Sequence, residues 1–387
     1  MTADAAAVRR RPKDRKQQIL VQARDLFVEL GYPSVSMAMI AERLGITAGA
    51  LYRHYATKAD LLEAVVRDSF QTVARPAEGL GLAELIDREI AVVAGRPHMA
   101  DLWSREVRYL PEPVRREIRA VLRETARAYL PGLRESRPEL TGSQVELVAW
   151  AIQSVLSGLG RDSVRLPSVN GTALVRGAAR ALPAVVLSDN PAGPRPAAGL
   201  APVSTRERLL IAARRQFSTV GYQEASMAGI GAEADVTRPN LYFYFDSKAD
   251  LLRAVIARGT HALWLELDAA LAGTTDPAVA LAAAVASYVK LSRDWAGLRL
   301  DLVGDPGLTE EFRGIQREYV AEWVALLREI RPGLTAAEAR ALVQLTLTTV
   351  NDLPRIWHLA QQPSFDGWVT SIAAALLASG PEAAARP

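Results

Sequence analysis

Two lysines pose the first chemical question in this sequence. Lys58 stands in Thr57-Lys58-Ala59-Asp60 and Lys248 in Ser247-Lys248-Ala249-Asp250, both of the S/T-x-x-D/E form that caps a helix start. A cation in a first helical turn opposes the helix dipole unless an anion sits there. A phosphate would serve, accepting from the free backbone N–H groups and from the ammonium together. Arg9–Lys16, RRRPKDRK, holds six basic groups in eight residues, which suits phosphate neutralisation or a solvated tail equally. Catalysis has less to stand on. Ser287-Tyr288-Val289-Lys290 matches S-x-x-K without its S-D-N and K-T-G partners, and no G-x-S-x-G, phosphate loop or dinucleotide fingerprint occurs. There is no cysteine, and the four histidines (His54, His98, His261, His358) are scattered. The reading is therefore a protein without catalytic residues, metal or cofactor.

The elements that must position these lysines come from an internal repeat. Shifting the chain by 190 residues lays Asp14–Val66 on Ser204–Ile256 without a gap, and 20 of the 53 aligned positions are identical, including the run KADLL. The likeness continues at an offset of 194, where LRESRPELT at Leu133 meets LREIRPGLT at Leu327. Two copies account for the 387 residues, a length that suits two or three domains. Between them SDNPAGPRPAAGLAPV, 188–203, has the proline and glycine content of a linker. Apolar residues recur at three- and four-residue steps, so the chain reads as all-α. The first copy suggests helices over 36–44, 48–55, 58–73, 82–94, 98–109, 113–130, 143–163 and 171–186. With no apolar run long enough for a bilayer and no signal segment, a cytoplasmic protein is expected.

Each repeat opens on one compact pattern. Gly31 follows an amphipathic helix, Ser36 caps a short one, Gly45 turns the chain, and Thr47 caps a third that buries Leu51 and Tyr55. Two short helices joined by a tight turn make a helix-turn-helix. In the second copy Asp235 takes the place of Gly45, Gly231 that of Ala41 and Ala234 that of Leu44. Aspartate tolerates the left-handed turn, so the element is expected to survive. Residues 9–70 hold 11 basic and 7 acidic groups and residues 204–261 hold 8 and 6, a combined +6 against a total of +3.

SMAMIAERLGITAGALYRHYATKADLL (Ser36–Leu62) and SMAGIGAEADVTRPNLYFYFDSKADLL (Ser226–Leu252) each resemble the DNA-binding head of the TetR family of bacterial transcriptional regulators. The chain resembles that family's tandem-fused members. RRRPKDRKQQIL, ALYRHY and LWSREVRYL are similar, more narrowly, to actinobacterial regulators of mce lipid operons. The resemblance implies DNA contacts at Ser36, Thr47, Ala48, Gly49, Tyr52, Arg53, His54 and Lys58, and at Ser226, Thr237, Arg238, Asn240, Tyr242, Tyr244 and Lys248. Arg53 or Arg238 suits guanine and Asn240 suits adenine, while the tyrosines and His54 suit phosphates. Tyr52 and Tyr242 also suit packing within the heads. Arg9, Arg10 and Arg11 would form an arm along an adjacent groove.

The implied organisation is a basic arm (1–13), a first head (14–73), a first regulatory body (74–187), the linker (188–203), a second head (204–261) and a second body (262–380). Helices 143–163 and 171–186 would pack with 336–359 and 364–378 as an internal four-helix bundle, making one chain a pseudo-dimer. The family places an apolar effector pocket in the bodies; Trp103, Tyr109, Trp150, Trp295, Tyr319 and Trp323 are its candidates here, although such aromatics also suit ordinary core. The expected function is a repressor that reads two unlike half-sites in double-stranded DNA and is released by a lipid or sterol-like effector. The alternative is an architectural DNA binder without a ligand.

Overall fold

The computed structural model describes residues 12–70, 79–96, 102, 106–160, 170–189, 200–295 and 306–381, and it is helical with no strand among them. Contacts divide the chain into two units, Met1–Tyr129 with Leu159–Asp162, and Leu130–Gly158 with Ser163–Pro387. The arm residues Arg9, Arg10 and Arg11 lie outside the described residues, as does most of the linker.

The first unit contains α1 (Pro12–Leu30), α2 (Met37–Arg43), α3 (Ala48–Tyr52), α4 (Lys58–Phe70), α5 (Leu82–Ala94) and α6 (Glu112–Ala128). The apolar stripe of α1, Ile19, Ala23, Leu26 and Phe27, is buried with Ile40, Leu51, Leu61, Leu62 and Val65 in one core. Each of these side chains larger than alanine contributes about 1.5–3 kcal/mol. That core runs on into Leu102, Leu110, Val114 and Ile118, so the head and the start of its body share one interior.

The second unit begins with the last helices of the first repeat, α7 (Leu130–Ser136), α8 (Gly142–Ser157) and α9 (Gly171–Ala181). The second repeat supplies α10 (Thr205–Thr219), α11 (Met227–Glu233), α12 (Arg238–Tyr244), α13 (Lys248–Ala272), α14 (Pro277–Trp295), α15 (Pro306–Ile330), α16 (Ala336–Asp352), α17 (Trp357–Ala360) and α18 (Phe365–Ala378). Its head core gathers Leu209, Leu210, Ala213, Phe217, Ile230, Leu241, Leu251 and Leu252, the counterparts of the first.

Within this unit α8 and α9 pack against α16 and α18. Leu147, Val148, Ala151, Ile152 and Val155 of α8 and Leu342, Val343, Leu345 and Ile372 of α16 and α18 are buried, and the four helices pack as the bundle that the resemblance implied. Polar ties cross it: Ser154 Oγ donates to Asp352 Oδ2 at 2.8 Å, and Asp189 Oδ1 accepts from Gln144 Nε2 at 3.0 Å and from Trp368 Nε1 at 2.7 Å. Thus Asp189, in the segment expected to be a linker, joins the two repeats.

The fainter half of the repeat has a structural counterpart. Arg137 Nη1 donates to the carbonyls of Pro183 and Val185 at 2.6 and 3.0 Å; Arg331 Nη1 does the same to Leu377 at 2.6 Å and Ser379 at 2.5 Å. Both pairs keep the offset of 194. Thr141 with Gln144 and Thr335 with Glu338 then form equivalent capping boxes.

Several helices are shorter than the periodicity suggested, for one reason. The expected 113–130 stops at Ala128 and restarts at Leu130, and the expected 336–359 breaks at a 3-10 turn, Leu353–Arg355. Pro131 and Pro354 each lack an N–H and crowd the carbonyl four residues back. The expected 171–186 likewise gives way at Leu182–Ala184, which contains Pro183. Most of the expected 98–109 lies outside the described residues; its end, Val107–Tyr109, is a 3-10 turn.

Candidate nucleic-acid interface

The first head is a chain of satisfied local demands. Gly31, at φ 79°, closes α1 by donating its N–H to Phe27 O at 3.0 Å. Ser36 Oγ accepts from Met39 N–H at 3.2 Å and opens α2; Gly45, at φ 64°, makes the turn; Thr47 Oγ1 accepts from Ala50 N–H at 3.2 Å and opens α3. In the second head Ser226 Oγ accepts from Gly229 N–H at 3.0 Å. Asp235 makes the turn at φ 54°, the left-handed geometry expected of it. Thr237 makes no such cap bond, and Pro239 removes one donor from the first turn of α12.

Gly231 has a sharper reason than its small size. A Cβ there would lie 2.9 Å from Val236 O and 3.3 Å from Leu241 Cδ1. The aspartate-bearing turn closes more tightly on α11, and only glycine fits beneath it.

On α3, Leu51 is buried and Tyr55 follows it inward, which turns Thr47, Ala48, Gly49, Tyr52, Arg53 and His54 outward. On α12, Leu241 and Phe245 face the core while Thr237, Arg238, Asn240, Tyr242 and Tyr244 are exposed. Tyr52 is 51% exposed and Tyr242 40%, so neither is core. Among the described residues Arg53 meets no carboxylate, and Arg238 lies over the Tyr242 ring at 5.9 Å rather than against an acid. Other arginines of the heads meet acids, Arg43 pairing with Glu29 at 2.8 Å and Arg215 with Glu233 at 3.2 Å. Each recognition helix thus presents an unpaired guanidinium beside hydroxyl and amide groups, the functional groups that read base edges and phosphates.

The two lysines do something else. Lys58 Nζ donates to Tyr32 O at 2.8 Å, Val35 O at 2.7 Å and Pro33 O at 3.4 Å, and sits 4.3 Å from the centre of the Tyr32 ring. Lys248 repeats this with Tyr222, Gln223 and Ala225 carbonyls at 2.7, 3.1 and 3.0 Å and with the Tyr222 ring at 4.6 Å. In the structure each ammonium ties α4 or α13 to the loop after the preceding long helix. Burial holds both pKa values below the usual lysine value, with Glu106 and Glu224 partly restoring them. The capping box at Thr57 forms, Asp60 and Thr57 exchanging bonds at 3.0 Å, and Ser247 Oγ accepts from Asp250 N–H at 3.1 Å.

The aromatic candidates fall into different places. Tyr109 packs against Tyr32 with the rings tilted and 4.8 Å apart, joining the body to the head, and the neighbouring Glu106, 3% exposed, accepts from Tyr32 N–H at 3.3 Å. Trp150 donates to Glu146 on its own bundle helix, and Glu146 also meets His358 at 3.0 Å. Tyr319 and Trp323 are buried in a cluster with Trp264 and Tyr288, whose hydroxyl accepts from Asn351 at 2.8 Å. Burial raises the Tyr319 and Tyr288 phenol pKa values. In the first body Tyr129, fully buried at the position of Trp323, has a hydroxyl with no hydrogen-bond partner, and Glu89 is buried near it. Trp103 and the side chain of Trp295 lie outside the described residues. Sequence reasoning passed over Glu106 and Glu89 because nothing in their spacing sets them apart.

Two helix-turn-helix heads on helical bodies define a DNA-binding regulator. Residues 19–65 and 209–255 both match the family described as bacterial regulatory proteins, tetR family. The chain is 32% identical over 163 residues to the HTH-type transcriptional activator FasR of Mycolicibacterium smegmatis, covering 41% of this chain and 74% of that protein. It is 29% identical over 161 residues to the HTH-type transcriptional repressor AcnR of Corynebacterium jeikeium, covering 39% and 83%. A TetR-family regulator from Bordetella parapertussis superposes with a TM-score of 0.41 at 22% identity, over 45% of this chain and 95% of that one. The fatty acid degradation regulator FadR of Bacillus halodurans gives 0.37 at 18%, over 46% and 97%. The chain belongs to the TetR family, as a tandem arrangement of two of its units. Its relatives are regulators of transcription, not enzymes.

Proposed function

We propose that one chain acts as a pseudo-dimeric, sequence-specific repressor whose two heads read unlike half-sites, and that a small apolar effector held in a body releases it. The observation that carries this reading is the pair of reading faces on one polypeptide, alike in position and different in exposed chemistry: Thr47, Tyr52, Arg53 and His54 against Arg238, Asn240, Tyr242 and Tyr244. Ser36, Ala48, Gly49, Ser226 and Thr237 would complete the phosphate contacts, and Arg9–Arg11 would follow an adjacent groove. The division into six segments is part of the same proposal.

Release requires the effector to prefer one head position over another. In the first unit the contacts of Glu106 and Tyr109 with Tyr32 support a route from body to head. The lipid or sterol-like class rests on the likeness to regulators of mce operons. Repression is the family's usual sense, while the named relatives include an activator as well as a repressor.

The test is footprinting, with the mass of the complex, on DNA flanking the encoding gene. One chain protecting two unlike half-sites about 34–36 Å apart is expected. Two chains on a palindrome would refute the pseudo-dimer, and equal affinity for unrelated DNA at matched salt would refute sequence-specific reading.

A further inference from the structure

Among the described residues the exposed aromatic side chains are Tyr52, Tyr242, Phe243, Tyr244 and Trp357, and four of these five lie on the two recognition helices. Phe243 differs from its neighbours. It has no polar atom, yet it is 80% exposed, with its ring edge-on to Tyr244 at 5.3 Å. A phenylalanine left in water forgoes most of the stabilisation that burial would provide. It does so here because Leu241 and Phe245 occupy the inward positions of the same short helix. At the 190-residue offset Phe243 corresponds to Arg53, so one position of the fold presents a guanidinium on one head and an apolar ring on the other.

We propose that Phe243 is a specificity residue that recognises a thymine through its C5-methyl group. The inference rests on the reading of this face as a DNA-contacting surface. In the major groove the thymine methyl is the apolar feature of the base edges, and a phenylalanine ring is among the groups that contact it. Guanine O6 and N7 suit Arg53 and offer nothing to Phe243. The two half-sites therefore differ at the equivalent base pair, guanine under the first head and thymine under the second. No lysine or arginine substitutes for this contact, because it involves no hydrogen bond.

The experiment is selection from a random-sequence duplex pool by the full-length chain, by Phe243→Ala and by Phe243→Arg. The parent pool should hold a thymine in the second half-site that the alanine pool leaves unspecified and the arginine pool replaces with guanine. That thymine is then changed to uracil in the selected duplex, which removes only the methyl group. The parent should bind about fourfold more weakly, the factor that one buried carbon group corresponds to, while Phe243→Ala should bind the two duplexes alike. Because the side chain is exposed, unchanged helicity and melting will confirm that both variants are folded. A parent indifferent to uracil at every thymine overturns the inference, as does an alanine pool that keeps the parent's thymine. If the parent enriches no sequence, the sequence-specific reading falls and this inference with it; enrichment unaffected at position 243 overturns the inference alone.

Discussion

Replacing Lys58 by methionine separates two accounts of this residue. The sequence places its ammonium at a helix start where a phosphate could sit; the structure turns it into three backbone carbonyls, two of them within 2.8 Å. Methionine keeps an apolar stem over the Tyr32 ring and deletes the charge. A hydrogen bond involving a charged group contributes about 1.5–3 kcal/mol, but water can reach these half-buried carbonyls and recovers part of it. A net loss of about 1–3 kcal/mol from the first head is expected, seen as a fall of several degrees in its melting temperature. DNA binding supplies the second readout. A lysine that neutralises a phosphate contributes about 0.9 to the slope of log affinity against log salt, whereas an ammonium held inside the head contributes nothing. Lys58→Met should therefore melt earlier and keep the parent's slope on a selected duplex. A variant that melts like the parent and loses about one unit of slope would refute the structural account.

Gly231→Ala should destabilise the second head by about 1–3 kcal/mol through the contact with Val236 O, with denaturant midpoints as the readout, while Ala41→Gly in the first head should cost only about 1 kcal/mol. Arg331→Met should lower the stability of the second unit by about 1–3 kcal/mol, since two part-buried carbonyls lose their donor, and Arg137→Met should act alike. Burial raises the pKa of Glu89 above its ordinary value of 4.5, against the pull of Arg88. Its contribution to stability is present below that ordinary value and is lost as pH rises through the raised one. Glu89→Gln should match the parent's melting temperature in acid and exceed it at neutral pH; a constant difference across the range would contradict the assignment.

Much of this protein was legible before any coordinates, because its determinants are local. Serine, threonine and glycine at set spacings specify caps and left-handed turns, and a 190-residue offset exposes the duplication to plain comparison. The outward and inward positions of the recognition helices followed from Leu51 and Leu241. Asp235 shows the limit of such reasoning: its left-handed turn was foreseeable from residue type, but the need for Gly231 beneath it was not, since that depends on where Val236 O arrives. The intramolecular partners of Lys58 were hidden for the same reason. Its partners are the carbonyls of 32, 33 and 35, brought to it by the packing of α1 on α4, and no pattern at positions 57–60 records them. Asp189 looked like linker until Gln144 and Trp368, far apart in the chain, converged on one of its oxygens. Local propensity writes the elements into the sequence, and long-range convergence decides what a polar side chain finds when it arrives.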